Sequence, residues 1–234
     1  MAAVAGGYGD GPVRFSASVK RALERQLQVR KRRLLDGATS VGWKIAADMP
    51  GVTTSEGAGG RIFGYLTSET VIAGSTPMIA GPTVDLCAEV ELAVEIAHDL
   101  PPDTSPAMAL EAIARLAVAL EIVDVDEQAP TADTIISNVF HRAVSFGPLQ
   151  KLASVASVRA RLEVDGRAKF EPLVELDPTY TVWAMARLLG GLGEQLRAGD
   201  RVIGGSLIHR SIQPGHRVTA AIAGLGETSI HVAP

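Results

Sequence analysis

A chain of 234 residues, 47% hydrophobic and 21% charged, has the make-up of a globular protein large enough to bury a sizeable core. Its formal charge of -4 argues against a general nucleic-acid binder, which needs a basic face to neutralise phosphates. Cys87 stands alone, which rules out an intrachain disulfide and fits a reducing cytoplasm, and no stretch approaches the ~20 uncharged apolar residues of a membrane span.

Met1 to Pro12 is small residues and glycine, without the basic start and apolar run of a signal peptide, so residues 1–13 are expected to be flexible and 14–234 to form one domain. Val19, Leu23, Leu27 and Leu34 recur at helical spacing and predict a helix from about Phe15 to Asp36, stopped by Gly37. The basic run Arg30 to Arg33 lies within it and reads as a solvated helix face. Ser40 to Ala46 reads as a strand. The glycine-rich stretch Thr53 to Gly60 reads as a loop whose spacing fits neither a dinucleotide fingerprint nor a P-loop.

Around Glu89 to Ala97 the pattern has period two: Val90, Leu92, Val94 and Ile96 on one face, Glu89, Glu91 and Glu95 on the other. Ser105 and Pro106 make an N-cap and N1 pair, and Ala109, Ile113, Leu116 and Leu120 predict a helix running into a strand at Glu121 to Val125. Val182, Met185, Leu189, Leu192 and Leu196 predict a further helix closed by Arg197 and Gly199. Strands follow at Arg201 to Ile203, Val218 to Ile222 and Thr228 to Val232, with turns at Pro214-Gly215 and Gly224 to Gly226. The sum is one α+β domain with a helical N-terminal extension.

Glu89 and Glu91, two apart on a strand, send their carboxylates from one face about 7 Å apart along the backbone. On an exposed edge such a pair is merely solvated. Here Cys87, Ala93 and Ala97 make the face small and mostly apolar, and enclosure makes unpaired carboxylates costly and favours a cation. Glu121 opens another strand, and three carboxylates with room for water suit Mg²⁺ or Mn²⁺.

Gly42-Trp43-Lys44-Ile45, Phe63-Gly64-Tyr65-Leu66-Thr67, Glu89-Val90-Glu91 and Leu120-Glu121-Ile122-Val123-Asp124 occur in that order. They are followed by Asn138, Val182-Trp183-Ala184, Leu196 to Asp200 with Gly205-Ser206, and Pro214-Gly215. This ordered set, from about residue 20 to the C-terminus, resembles the 2-keto-4-pentenoate hydratase and 4-oxalocrotonate decarboxylase branch of the fumarylacetoacetate hydrolase superfamily. The resemblance implies a mixed, strongly curved β-sheet roll with flanking helices, usually in a homo-oligomer. It implies Glu89, Glu91 and Glu121 as metal ligands and Lys44 as the lysine reaching a 2-keto (or enol) carboxylic acid beside Mg²⁺ or Mn²⁺. Ser206, after two glycines, is a candidate for holding the substrate carboxylate. Asn138, and His141 just after it, are candidates to enter the pocket.

The sequence also departs from that branch. Where acidic residues usually follow the Gly-x-Leu-Thr step it has Ser68 and Glu69, which leaves Glu69 as a candidate acid/base. Ser137-Asn138 replaces an Asp-Asn pair, and Asp177-Pro178-Thr179-Tyr180 replaces a glycine-histidine-proline loop. The expectation is a metal-dependent lyase, hydratase or decarboxylase. The alternatives are a diverged enzyme of 1,3-dicarbonyl substrates (a C–C hydrolase, tautomerase or ring-forming enzyme) and a non-catalytic partner of an active homologue. Asp124, Asp126, Glu127 and the histidines His209 and His216 read as solvated or hydrogen-bonding groups, and Cys87 as a small buried thiol rather than a nucleophile.

Overall fold

The Ser16 hydroxyl accepts from Val19 N (3.4 Å) and starts α1 (Ala17–Leu35), which ends before Gly37 at φ 111°. The helix buries Val19, Ala22, Leu23 and Gln26. Gln26 Nε2 donates to Phe63 O (3.1 Å) and Ile135 O (2.8 Å), tying α1 to the body of the domain. The computed structural model describes residues 13–46, 60–74, 76–151, 157–170 and 173–234. The expected N-terminal tail and nearly all of the Thr53 to Gly60 loop lie outside them.

Beyond α1 come β1 (Ser40–Ala46), β2 (Ile62–Thr67), β3 (Leu86–Ile96), α2 (Pro106–Glu111), β4 (Ile113–Asp124), α3 (Thr131–Ile136) and β5 (His141–Phe146). Short strands β6 (Ser157–Val158), β7 (Ala160–Val164), β8 (Arg167–Phe170) and β9 (Val174–Glu175) lead to α4 (Pro178–Gly190), β10 (Arg201–Ser211), β11 (Arg217–Ile222) and β12 (Gly226–His231). A six-stranded sheet has the order β2-β1-β10-β3-β4-β5, and a four-stranded one the order β12-β11-β7-β8. In the larger sheet β1 and β10 run parallel and the other pairs antiparallel. At Gly42 (φ 147°) a Cβ would run into the backbone of Arg201, so a glycine is what lets β1 and β10 close up. The larger sheet curls strongly into half a barrel, as expected for the roll.

Its faces divide by the two-residue alternation of the strands. Val90, Leu92 and Val94 join Trp43, Phe63 and Leu162 in the main core. That core also takes in α4, whose Tyr180, Val182, Trp183, Ala184, Met185, Ala186, Leu188 and Leu189 are all buried. On the other face Ala93, Ala117 and Ala119 pack with Leu66, Val144 and Ile203. Glu89, Glu91, Glu121 and Lys44 share this second face by the same alternation.

Two predicted helices are shorter than their periodicity implied. Ser105 caps α2 through Met108 N (3.3 Å), as expected, but Ile113, Leu116 and Leu120 belong to β4. This strand pairs with β3 from Leu86↔Asp124 to Ile96↔Ile113 and is buried on both faces from Leu116 to Val123, so apolar residues at nearly every position mimic a helical repeat. The helix predicted through Leu196 stops at Gly190-Gly191, where the backbone packs too closely on Pro102 for a side chain. Leu196 instead bridges Leu100.

Candidate functional site

Glu89 and Glu91 lie on β3, and Glu121 faces Glu89 across the β3–β4 ladder. Oxygens of all three carboxylates lie within 4.8 Å of one another. Glu91 and Glu121 are buried, at 2% and 0% exposure. Among the described residues, the hydrogen bonds and ion pairs to this trio go to Oε1 atoms. Glu121 Oε1 meets Lys44 Nζ and His141 Nδ1, both at 2.6 Å. Glu91 Oε1 faces Ser206 N (3.4 Å), and Glu89 Oε1 accepts from Ser206 Oγ (2.9 Å) and lies 2.8 Å from His209 Nδ1. Glu91 Oε2 and Glu121 Oε2 are buried without a hydrogen-bond partner. Buried carboxylate oxygens left bare are costly, and a hard divalent cation is a partner such oxygens accept.

The electrostatics bear out the crowding. Burial, then the charges of Glu121 and Glu89, push Glu91 well above the usual carboxylate range, against Lys44 and the Ser206 amide. For Glu121 burial pulls the same way, but Lys44 and His141 outweigh it and hold the carboxyl below its ordinary value. Burial lowers Lys44, and the three glutamates more than reverse that, so the ammonium stays charged. Burial lowers His141 despite its bond to Glu121; Nδ1 faces Glu121 Oε1, and Nε2 lies 2.9 Å from Thr70 Oγ1.

Lys44 is on β1, two strands away from β3 and three from β4. On a flat sheet that separation is about 14 Å with side chains rising side by side, and the curl is what brings the Lys44 ammonium onto Glu121. Between them β10 bulges from Gly204 to Ile208. Gly204 and Gly205 add no bulk there, and Ser206, at φ 26°, turns its hydroxyl to Glu89. Lys44 Nζ also donates to Val139 O (3.1 Å), in a run of left-handed residues at Asn138, Val139 and Phe140 with φ 72°, 54° and 64°. Such a run costs roughly 1–2 kcal/mol per residue and persists only where other contacts impose it.

Those contacts come from Asn138, which is not among the residues that line the cavity described below. Its Oδ1 accepts from Tyr65 N (2.8 Å) and its Nδ2 donates to Tyr65 O (2.9 Å), so the amide is spent on extending the β2 backbone. His141 likewise stands behind Glu121 rather than lining the cavity. Glu69 is displaced furthest from expectation: it pairs with Arg33 (3.1 Å), its side chain is 48% exposed, and it does not line the cavity. Ser206 does line it, with its hydroxyl already given to Glu89. Cys87 is buried against Ser211, and burial pushes its thiol up to about 11, as fits an inert group.

The carboxylates and Lys44 open into a cavity of about 590 Å³ walled by Ile45, Val123, Phe140, Leu176 and Leu207. Three further polar residues on its wall were not among the expected site residues. His209 faces Glu89 across the β3–β10 ladder, a register hidden by the bulge. Tyr180 lies in the first turn of α4, and Arg61 directly precedes β2. The legible signal was the Asp177-Pro178 helix start, where Asp177 Oδ1 accepts from Tyr180 N (2.9 Å).

A curled α+β roll carrying an acidic centre and a buried lysine beside an apolar cavity defines a small-molecule enzyme scaffold. The chain belongs to the fumarylacetoacetate (FAA) hydrolase family, whose C-terminal domain matches residues 45–233. It is 26% identical over 227 residues to a 4-oxalocrotonate decarboxylase from a Pseudomonas species, covering 92% of this chain and 87% of the relative. The structure of 4-oxalocrotonate decarboxylase from Pseudomonas putida G7, complexed with calcium and acetate, superposes with a TM-score of 0.76 at 19% identity, over 92% of this chain and 85% of that one. Fumarylpyruvate hydrolase from Pseudomonas aeruginosa, in complex with Mn²⁺ and pyruvate, gives 0.53 at 24% identity over 74% and 78%. The family's members named here are enzymes, decarboxylase and hydrolase among them. No helix among the described residues is long and apolar enough to cross a membrane.

Proposed function

We propose that the chain is a divalent-metal-dependent lyase of a 2-keto (or enol) carboxylic acid, of decarboxylase rather than hydratase type. The observation that carries this is the pair of partnerless buried oxygens, Glu91 Oε2 and Glu121 Oε2, on two of three carboxylates that approach within 4.8 Å of one another beside a charged lysine. Glu89, Glu91 and Glu121 would hold Mg²⁺ or Mn²⁺, which when bound supplies Lewis acidity toward a keto oxygen. The other tasks fall to the chain. Lys44 presents a fixed ammonium to negative charge developing on an enolate oxygen, already oriented by Glu121 and Val139 O. His141 and Ser206 hold the carboxylates in place. Phe140, Leu207 and Val123 exclude water around the chain of the substrate.

Decarboxylation needs an electron sink at the carbonyl, whereas hydration also needs a base to direct water. The residue expected to be that base, Glu69, is paired with Arg33 away from the cavity, which favours decarboxylation, as does the likeness to a decarboxylase. A second reading is hydrolytic C–C cleavage of a 1,3-dicarbonyl acid. It is favoured by His209, which lines the cavity beside Glu89 and offers a group to activate water. Purified protein with Mg²⁺ should release CO₂ from 2-oxohex-3-enedioate. Cleavage of fumarylpyruvate without CO₂ release would transfer the assignment to the hydrolase reading, and hydration of 2-hydroxypenta-2,4-dienoate alone would restore the hydratase.

A further inference from the structure

We propose that His209 is a positioning residue for the metal centre, holding the Glu89 carboxylate in place so that a cation does not have to order it on binding. This rests on the metal-binding reading of the three glutamates and gives a part to a residue that the decarboxylase reading leaves idle. Glu89 is the least enclosed of the three. Glu91 and Glu121 are 2% and 0% exposed, whereas the Glu89 side chain is 16% exposed and lies on the cavity wall. Oxygens of the three carboxylates approach within 4.8 Å of one another, and like charges at that range repel. With its two neighbours enclosed, Glu89 is the member with open space to swing into. A carboxylate that swings away must be ordered again each time a cation binds, and that ordering subtracts from the affinity.

Two side chains of β10 oppose the swing. Ser206 Oγ donates to Glu89 Oε1 (2.9 Å), and His209 Nδ1 lies 2.8 Å from the same oxygen. Residues 206 and 209 are three apart, so an unbroken strand would send them to opposite faces of the sheet. The bulge between Gly204 and Ile208 removes that alternation, and both side chains reach one carboxylate oxygen. His209 also faces Glu89 directly in the β3–β10 register, which fixes where its ring stands.

A hydrogen bond to a metal-binding carboxylate can act in two directions. It draws electron density from the oxygen it engages, and it orients the group. Here orientation wins, because the contacts fall on Oε1 and, among the described residues, none reaches Oε2, which stays available to a cation. The His209 side chain is 41% exposed, so the ring is not part of the core and replacing it leaves the packing of the sheet intact.

Calorimetric titration of Mg²⁺ into the metal-free protein at one fixed pH reads the effect without any assay of turnover. His209→Ala should weaken Mg²⁺ affinity by about 10- to 100-fold, the scale for partners that hold metal-binding side chains. His209→Asn, whose side-chain amide reaches the position of Nδ1, should regain most of that affinity. His209→Phe, which keeps a ring but no hydrogen-bonding atom, should not. All three should melt close to wild type without metal, since the ring is not in the core. Affinity that is unchanged or tighter in His209→Ala overturns the role, as does a loss that the Asn and Phe variants share equally. The metal-binding reading is judged separately, on wild type. If wild type binds Mg²⁺ and His209→Ala binds it as well, only the role of His209 fails. If wild type takes up neither Mg²⁺ nor Mn²⁺, the metal-binding reading fails and the role of His209 with it.

Discussion

Lys44 Nζ lies 2.6 Å from Glu121 Oε1, and both side chains are at most 5% exposed. An ion pair this deeply buried is weak evidence of net stabilisation, but removing one partner leaves the other charge stranded, at a cost of about 3–5 kcal/mol. Lys44→Met should therefore lower the melting temperature of the metal-free protein, and added Mg²⁺ should recover part of the loss by neutralising Glu121. Turnover should fall by about 10²–10⁴, the scale for a positioned acid/base group. Near wild-type melting and turnover in the variant would remove Lys44 from the site.

Glu91 provides the opposite case, a charge the fold would rather lose. Its carboxyl is raised by burial and by Glu121 and Glu89, so the folded state holds a proton that the unfolded chain releases near pH 4.3 (about the ordinary glutamate value). The stability linked to that proton is fully present below about pH 4.3 and is lost as pH rises through the folded value. Metal-free wild type should therefore melt at progressively lower temperature from mildly acidic pH toward neutrality, and Glu91→Gln should flatten that slope. At neutral pH the variant should equal or exceed wild type without metal and gain nothing from Mg²⁺, whereas wild type should gain with the logarithm of metal concentration. Unchanged metal affinity in Glu91→Gln would reject it as a ligand.

Glu69→Gln should be nearly silent. The exposed pair with Arg33 is worth about 0–1 kcal/mol, and the residue does not reach the cavity. A loss of turnover beyond about tenfold would mean that this carboxylate reaches the substrate after all.

Asn138→Ala should act on stability and on the site together. It strands the Tyr65 N–H and C=O inside the protein, at about 1–3 kcal/mol for each unsatisfied group, and releases the left-handed run that aims Val139 O at Lys44. Asn138→Asp retains the acceptor for Tyr65 N but loses the donor to Tyr65 O, so it should lie between wild type and Ala. Thermal melting with a parallel activity assay decides this, and an unchanged melting temperature in the Ala variant would contradict the bracing role.

Local pattern was enough for much of this architecture. The cap at Ser105, the Gly37 stop, the β1 strand and the closing hairpin around Gly224 and Gly226 rest on contacts within a few residues, and so they are written in the chain. So is the carboxylate face, because strand alternation places Glu89 and Glu91 together and small neighbours mark it as enclosed. Strands buried on both sides lose their alternation, which is why Ile113 to Leu120 read as helix until β3 was there to pair with it. The distribution of roles around the carboxylates depended on distance across the fold. The curl of the sheet sets Lys44 on Glu121, the β10 bulge sets Ser206 and His209 against Glu89, and the turn after α3 spends Asn138 on Tyr65. Glu69 needed only a neighbouring helix, since Arg33 of α1 holds it at the surface. Sequence alone supplied the chemical groups and their local geometry; long-range packing, which joins residues as far apart as Lys44 and Glu121, decided which of them face the cavity.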